Sequence, residues 1–177
     1  MTDSEPEGSG TWTIYRRCLL SMPDEASHLL ILQDDALPCE DFHAKALAAV
    51  AEKPDDVLVM FLPAFGFLYR RALEAKRAGE RFVVMPSTSF VPVVTTSFPR
   101  MIVERLLAWD EGETWPRRRS GSLGRTDDGT VAAFCRATRL RVLATVPSLA
   151  DHRADVPSIA RPQHRAGGQH RRAALFE

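Results

Sequence analysis

Short continuous apolar runs alternate along the chain with stretches whose apolar residues recur at helical spacing. The runs HLLIL (28–32) and DDVLVMFL (55–62) have strand length and lack the polar alternation of a half-exposed strand. Such runs are typical of strands covered on both faces, as in parallel sheets. Between them, apolar residues of CEDFHAKALAAVAEK (39–53) fall on one helical face, and Pro38 is placed to open that helix.

The same alternation continues to the C-terminal region. Further strands are predicted at 81–85, 91–97 and 140–146, and further helices at 11–22, 68–79, 99–109 and 126–139. This order predicts an α/β fold with a central mixed, mostly parallel sheet, in which HLLIL is an interior strand. We divide the chain into a disordered lead (1–10), one domain (11–160) and a basic C-terminal tail (161–177).

Composition narrows the classes of function without selecting one. The 177 residues carry 23 Lys+Arg and 23 Asp+Glu, so net charge gives no sign of a nucleic-acid partner. Three cysteines without CxxC spacing argue against a disulfide framework or a zinc site and favour a reducing compartment. No apolar run approaches the roughly 20 residues that span a bilayer, and the acidic start does not resemble a signal peptide. The sequence therefore predicts a soluble, cytoplasmic protein without a membrane partner.

Two adjacent carboxylates, Asp34 and Asp35, follow the predicted strand HLLIL. In open α/β sheets, ligands bind beyond the carboxyl ends of the strands. Neighbouring carboxylates repel each other unless a cation offsets their charge, and Mg²⁺ and Mn²⁺ prefer such oxygens together with substrate phosphates. The pair is thus a candidate platform for a metal and a diphosphate. A solvated acidic turn is the alternative, and it is common for this dipeptide.

Other enzyme classes also place acids after a strand, and two of them fit less well. A haloacid-type phosphatase requires a D-x-D spacing with a nucleophilic first Asp, but this chain has D-D. A receiver domain requires a later lysine at a strand end, whereas Lys45, Lys53 and Lys76 all lie in predicted helices or loops.

The stretch HLLILQDDALPCEDF resembles the "L-x-D-D-x-x-P-x-x-x-F" core of GT-A glycosyltransferases, in particular family 25-like enzymes and a small actinobacterial and phage group. TVPSLADHRADVPSIARP (145–162) is similar to the closing motif of that group, and the intervening TDDGTVAAFCRATRLRVLATVPSL (126–149) also resembles it. The resemblance covers about Trp12 to Phe176. It implies a GT-A-like (Rossmann-like) single domain whose N-terminal nucleotide-binding strand is short or missing, since so few residues precede HLLIL.

This resemblance implies a role for each candidate residue. Asp35, Asp34 and His152 are the expected ligands of Mn²⁺ or Mg²⁺, and Asp34 also faces the nucleotide. Asp127 and Asp128 are placed to deprotonate the acceptor hydroxyl. For each of them a structural role remains the alternative: an exposed loop for His152, and a helix cap for the Asp127–Asp128 pair.

Arginines in the predicted loop 111–125 and in the tail complete the expected site. Arg117 and Arg125 are candidate ligands of the donor diphosphate, since guanidinium groups suit phosphate, although a solubilising surface explains such clusters equally well. The expected activity is a metal-dependent transfer of sugar from a nucleoside-diphosphate donor such as a UDP-sugar to a hydroxyl. A hydroxymethylated pyrimidine in phage DNA is one candidate acceptor. The alternative is a non-catalytic nucleic-acid-binding or accessory module that retains the fold.

Overall fold

A computed structural model describes residues 10–64, 66–86, 91–113, 125–153 and 172–176. Over these ranges the elements follow the order α1 (Thr11–Leu20), β1 (His28–Leu32), β2 (Ala36–Pro38), α2 (Phe42–Glu52), β3 (Val57–Val59), α3 (Gly66–Arg77), β4 (Phe82–Met85), β5 (Thr95–Pro99), α4 (Arg100–Gly112), α5 (Asp127–Thr138), β6 (Val142–Thr145) and β7 (Ala150–His152). The prediction of an α/β fold with a mixed sheet is confirmed. No helix in the described ranges combines the length and hydrophobicity that a bilayer crossing requires.

The five-stranded sheet has the order β1-β5-β3-β6-β4, and β2 pairs with β7 in a separate two-stranded sheet. The prediction of a mostly parallel sheet is wrong, because only β3 and β6 pair in parallel and the other three pairs are antiparallel. After the connection through α2, β3 does run in the same direction as β1, as expected for a helical crossover. However, β5 inserts between β1 and β3, and α3 leads into β4, which runs against its neighbour β6.

HLLIL forms a strand as predicted, but it lies at the edge of the described sheet and not in its interior. Its side chains still contact apolar residues on both faces: Leu29 and Ile31 pack against one core cluster and Leu30 against the other. Leu32 is 40% exposed. The continuous apolar run therefore predicted correctly that both faces of the strand are covered. It did not indicate how many strands lie beside it.

The sheet separates two apolar layers. Along β3, Val57 and Val59 belong to the larger cluster and Leu58 to the smaller one, as the alternation of side chains in a strand requires. Helices α1, α3, α4 and α5 supply buried residues to the larger cluster, whereas α2 packs on the opposite face through Ala46 and Ala49. The arrangement is three-layered, and the first strand in the described ranges is β1. A GT-A-like topology within this architecture stays a prediction.

Pro38 does not open the following helix, contrary to the sequence-based prediction. It ends the short strand β2, and α2 begins at Phe42 after Asp41, which has a left-handed backbone conformation (φ 55°). The residues between HLLIL and α2 therefore form a turn and a strand of their own. This local structure positions the candidate site.

Candidate functional site

Strands β1, β3 and β6 run in the same direction, because β1 and β3 are both antiparallel to β5 and β3 is parallel to β6. Their carboxyl ends therefore meet at one side of the sheet, which we call the carboxyl edge. The segments that begin at Gln33, Met60 and Val146 leave the sheet there. Residues on these segments occupy the position at which α/β sheets bind ligands.

The predicted acidic pair lies in the turn that joins β1 to β2 at the carboxyl edge. The Ala36 N–H donates a hydrogen bond of 3.1 Å to the Gln33 carbonyl oxygen and closes this turn. Asp34 is exposed, whereas Asp35 is partly buried. The two carboxylates are therefore not equivalent: Asp34 faces solvent and Asp35 lies against protein.

The two-stranded sheet brings the late histidine to this turn. In the β2–β7 pairing, Ala36 lies opposite His152, and the Arg153 N–H donates to the Asp35 carbonyl oxygen at 2.8 Å. This register places Nε2 of His152 3.1 Å from Oδ2 of Asp35, with only 12% and 22% of the two side chains exposed. Two residues that lie far apart in the sequence and were assigned to one site are thus in contact.

The orientation of the His152 ring makes this contact chemically informative. Its Nδ1 lies 3.2 Å from the carbonyl oxygen of Arg153, and a carbonyl only accepts hydrogen bonds, so Nδ1 carries the hydrogen in the tautomer that makes this bond. In that tautomer, Nε2 presents a lone pair toward the Asp35 carboxylate, whereas in the other tautomer Nε2 donates a hydrogen bond to it. The first arrangement suits two ligands of one metal cation, and the second is an ordinary histidine–aspartate hydrogen bond. Metal-binding histidines commonly donate their other ring N–H to a backbone carbonyl in this way.

Two of the predicted ligands, Asp35 and His152, are close enough to bind one divalent cation. Adjacent ligands in an octahedral Mg²⁺ site, with bonds of about 2.1 Å, lie about 3 Å apart, close to the separation of Asp35 and His152. Within the described ranges, no group of three or more His, Cys, Asp or Glu side chains is arranged to hold a metal. The protein would therefore supply this pair, with Asp34 next to it in the exposed turn. Mg²⁺ is commonly held by few protein ligands, with water and phosphate oxygens completing its shell.

The second acidic pair, Asp127 and Asp128, begins α5, and most of its carboxylate oxygens accept hydrogen bonds from the protein. Asp127 is buried, and its Oδ1 accepts hydrogen bonds from the Thr11 hydroxyl at 2.9 Å and the Asp128 N–H at 3.0 Å. Its Oδ2 accepts from the Gln33 side-chain amide at 2.8 Å. These bonds tie α1, the end of β1 and α5 together. Asp127 therefore has a structural role, although the residue that caps α5 is Thr126 and not Asp127.

Asp128 differs from its neighbour in exposure and in basicity. It is partly exposed, and burial, followed by the negative charge of Asp127, raises the pKa of its carboxyl group. Hydrogen bonds from Thr126 and from the Gly129 N–H oppose this shift without cancelling it. A carboxylate with a raised pKa is a stronger base than an ordinary aspartate. Of the two predicted catalytic residues, Asp128 is the one suited to accept a proton.

Of the two arginines predicted to bind the donor, Arg117 and Arg125, the structure describes only Arg125. Arg125 donates to Asp110 at 2.6 Å, and its guanidinium lies 5.0 Å from the centre of the Trp12 ring. Arg16 contacts the other oxygen of Asp110 at 3.2 Å, so Arg125 is part of a cluster that joins α1, α4 and the start of α5. Arg117 lies outside the described residues, as do the tail arginines except Arg172.

Sequence reasoning missed two residues at the carboxyl edge. Gln33 links the two acidic pairs, since its carbonyl closes the acidic turn while its amide holds Asp127. Its position directly before an acidic pair at a strand end was the available signal. Asp151, next to His152, is buried and accepts two backbone hydrogen bonds. Nothing in the local sequence distinguished it from an exposed loop aspartate.

Comparisons with protein-family models, with curated proteins and with solved structures found no match for this chain. The resemblance to GT-A glycosyltransferases therefore rests on the quoted motifs, and any function rests on the site geometry.

Proposed function

We propose that this protein is a metal-dependent glycosyltransferase that moves a sugar from a nucleoside-diphosphate donor to an acceptor hydroxyl at the carboxyl edge. One observation carries the proposal: Nε2 of His152 faces Oδ2 of Asp35 at 3.1 Å while Nδ1 lies at hydrogen-bonding distance from a carbonyl. A structural histidine–aspartate hydrogen bond is the alternative for this contact, and metal binding distinguishes the two. A cation held by both groups would also give the acidic turn a diphosphate to bind.

Asp35 and His152 would hold Mn²⁺ or Mg²⁺, and Asp34 would approach the same ion or the donor from the exposed side of the turn. When bound, the cation offsets the negative charge of the leaving diphosphate. In the proposed reaction, Asp128 accepts the proton of the acceptor hydroxyl. The acceptor oxygen then bonds to the anomeric carbon, and the bond from that carbon to the diphosphate oxygen breaks, with its electron pair leaving on the diphosphate. Asp127 holds the start of α5, and with it Asp128, in place.

Calorimetric titration with UDP, in the presence and absence of Mn²⁺, tests the proposal directly. The parent protein should bind UDP only when Mn²⁺ is present. Asp35→Asn should weaken Mn²⁺ and UDP binding by at least about tenfold, because one ligand and its charge are lost. Its melting temperature without metal should be unchanged or slightly higher, since the introduced amide can donate to Nε2 of His152.

Asp55→Asn is the matched control. Asp55 likewise lies in a loop next to a strand, but it is exposed and precedes β3, so it lies at the opposite side of the sheet. This variant should bind Mn²⁺ and UDP like the parent. A parent protein that shows no Mn²⁺-dependent nucleotide binding would refute the transferase proposal and favour the non-catalytic module. With binding established, mass spectrometry of hydroxymethylated and unmodified DNA incubated with sugar donors tests the DNA acceptor.

A further inference from the structure

The C-terminal segment, residues 172–176, packs against the carboxyl edge. The Ala64 N–H donates to the Arg172 carbonyl at 2.7 Å, and the Ala174 N–H donates to the Leu62 carbonyl at 2.6 Å. On its other side, the Ser148 N–H donates to the Leu175 carbonyl at 2.6 Å. The segment thus lies between the connections that follow β3 and β6, and Ala174 is buried in the larger core cluster.

Asp151 connects this segment to β7. Its Oδ1 accepts a hydrogen bond of 2.7 Å from the Ala173 N–H and one of 2.9 Å from the His152 N–H. Its Oδ2 lies 4.0 Å from a guanidinium nitrogen of Arg172, and the side chain is only 10% exposed. A shielded carboxylate needs such donors, so Asp151 and the C-terminal segment stabilise each other's position.

His152 follows Asp151 directly, and side chains alternate between the two sides of a strand. Asp151 accordingly faces the C-terminal segment, while His152 faces Asp35 and lies 6.1 Å, ring centre to ring centre, from Phe61. The backbone of β7 is therefore held from one side by β2 and from the other by the Asp151 side chain. A shift of this short strand would move the imidazole relative to Asp35.

We infer that Asp151 and the C-terminal segment position His152 for cation binding, which makes Asp151 a positioning residue of the site. The effect on metal affinity rests on the proposed function, but the placement of the imidazole does not. This positioning depends on the hydrogen bonds that Asp151 accepts. Removing the donor in the C-terminal segment or the acceptor on Asp151 should therefore displace the His152 imidazole in the same way.

Two substitutions in the full chain each remove the hydrogen bond between Ala173 and Asp151, one at the donor and one at the acceptor. Ala173→Pro removes the N–H that donates to Asp151 without changing any charge. Asp151→Ala removes the acceptor. Asp151→Asn keeps an acceptor oxygen and should retain the parent's behaviour. Phe176→Ala is the matched control within the segment, because that side chain is 45% exposed and its removal leaves the backbone bonds intact.

The first readout is the NMR resonance of the His152 imidazole in the metal-free protein. Ala173→Pro and Asp151→Ala should each shift this resonance in the direction seen for Asp35→Ala, which removes the facing carboxylate. The second readout is Mn²⁺ affinity, which should fall roughly tenfold or more in the same two variants, as for the loss of residues that orient a metal ligand. Asp151→Asn and Phe176→Ala should match the parent in both measurements.

An unchanged imidazole resonance in Ala173→Pro and Asp151→Ala would overturn the inference. Equal changes in Asp151→Asn and Asp151→Ala would also overturn it, since charge and not hydrogen bonding would then matter. A parent protein that binds no Mn²⁺ refutes the proposed function alone. In that case, the imidazole resonances of the metal-free variants still decide whether the C-terminal segment positions His152.

Discussion

The dipeptide Asp-Asp occurs twice at candidate positions, and the protein treats the two copies differently. Asp127–Asp128 begins a helix, where Thr126 caps the first turn and the helix dipole favours negative charge. Asp34–Asp35 lies in a turn after a strand, and its shielded member, Asp35, faces Nε2 of His152 at 3.1 Å. The first pair has donors from the protein itself. The second brings a carboxylate and an imidazole side by side at the carboxyl edge, which is why we propose ligand binding there.

The largest expected effect concerns Asp127. Asp127→Ala leaves the Thr11 hydroxyl and the Gln33 amide without their shared acceptor, so the free energy of unfolding should fall by about 3 kcal/mol. Urea denaturation measures this loss. In the other pair, Asp34→Ala should change stability by less than about 0.5 kcal/mol, because Asp34 is exposed. Similar losses in both variants would remove the distinction between the pairs.

Gln33 provides the next test, because it contacts both pairs. Gln33→Glu keeps the shape of the side chain but sets a carboxylate against Oδ2 of Asp127, and it should cost about 2 kcal/mol at neutral pH. Repulsion raises the pKa of the introduced carboxyl in the folded state. The penalty should therefore grow as pH rises through that raised pKa and disappear in acid. A penalty that does not depend on pH would show that packing, and not charge, sets the cost.

Arg125 should have a smaller effect on stability. Arg125→Ala removes one of the two guanidinium groups that contact the shielded Asp110 carboxylate, which should cost about 1 kcal/mol, since Arg16 remains. UDP affinity should stay at the parent level if the cluster is structural. A fall in UDP affinity with unchanged stability would instead support the role in donor binding that the sequence predicted.

Asp128 should affect stability less than Arg125 does, and the effect depends on pH. The raised pKa means that the folded protein holds the Asp128 proton more tightly than the unfolded chain does. Stability is therefore lost as pH rises from the ordinary carboxyl pKa through the raised one, and the loss persists at neutral pH. Asp128→Asn should be more stable than the parent at neutral pH and equal to it near pH 3. The opposite order would mean that the folded state favours the charged carboxylate.

The sequence predicted the elements better than their arrangement. Helix α5 was recognisable from Thr126 and its acidic first turn, and β3 from its apolar run, because these signals are local. Strand direction and neighbours were not predictable from the alternation of strands with helices, since β5 inserts between β1 and β3. The strand β2 was missed because three residues that include a proline carry no strand pattern.

In the candidate site too, features set by neighbouring residues in the sequence were predictable, and contacts between distant residues were not. Asp35 was predicted as a site residue from its place after a strand, and the late histidine from a motif resemblance. The structure brings the two into contact, and their role stays a prediction. The partners of Asp151 could not be inferred, since its donors include a backbone N–H in the C-terminal segment. Backbone donors have no signature in the sequence. The ion pair of Arg125 was not predictable for the same reason, because it depends on Asp110 lying beside it in space.

The strand order has a consequence for how the chain folds. In both described sheets, every pair joins strands that are not consecutive in the sequence, so no hairpin can form early as a local nucleus. Each pairing must first close a long loop, and proteins dominated by such contacts fold slowly. We expect folding on the millisecond-to-second timescale, with helices forming ahead of the sheet. Until β5 inserts, β1 and β3 would both expose unpaired edges, and refolding at high protein concentration should then compete with aggregation.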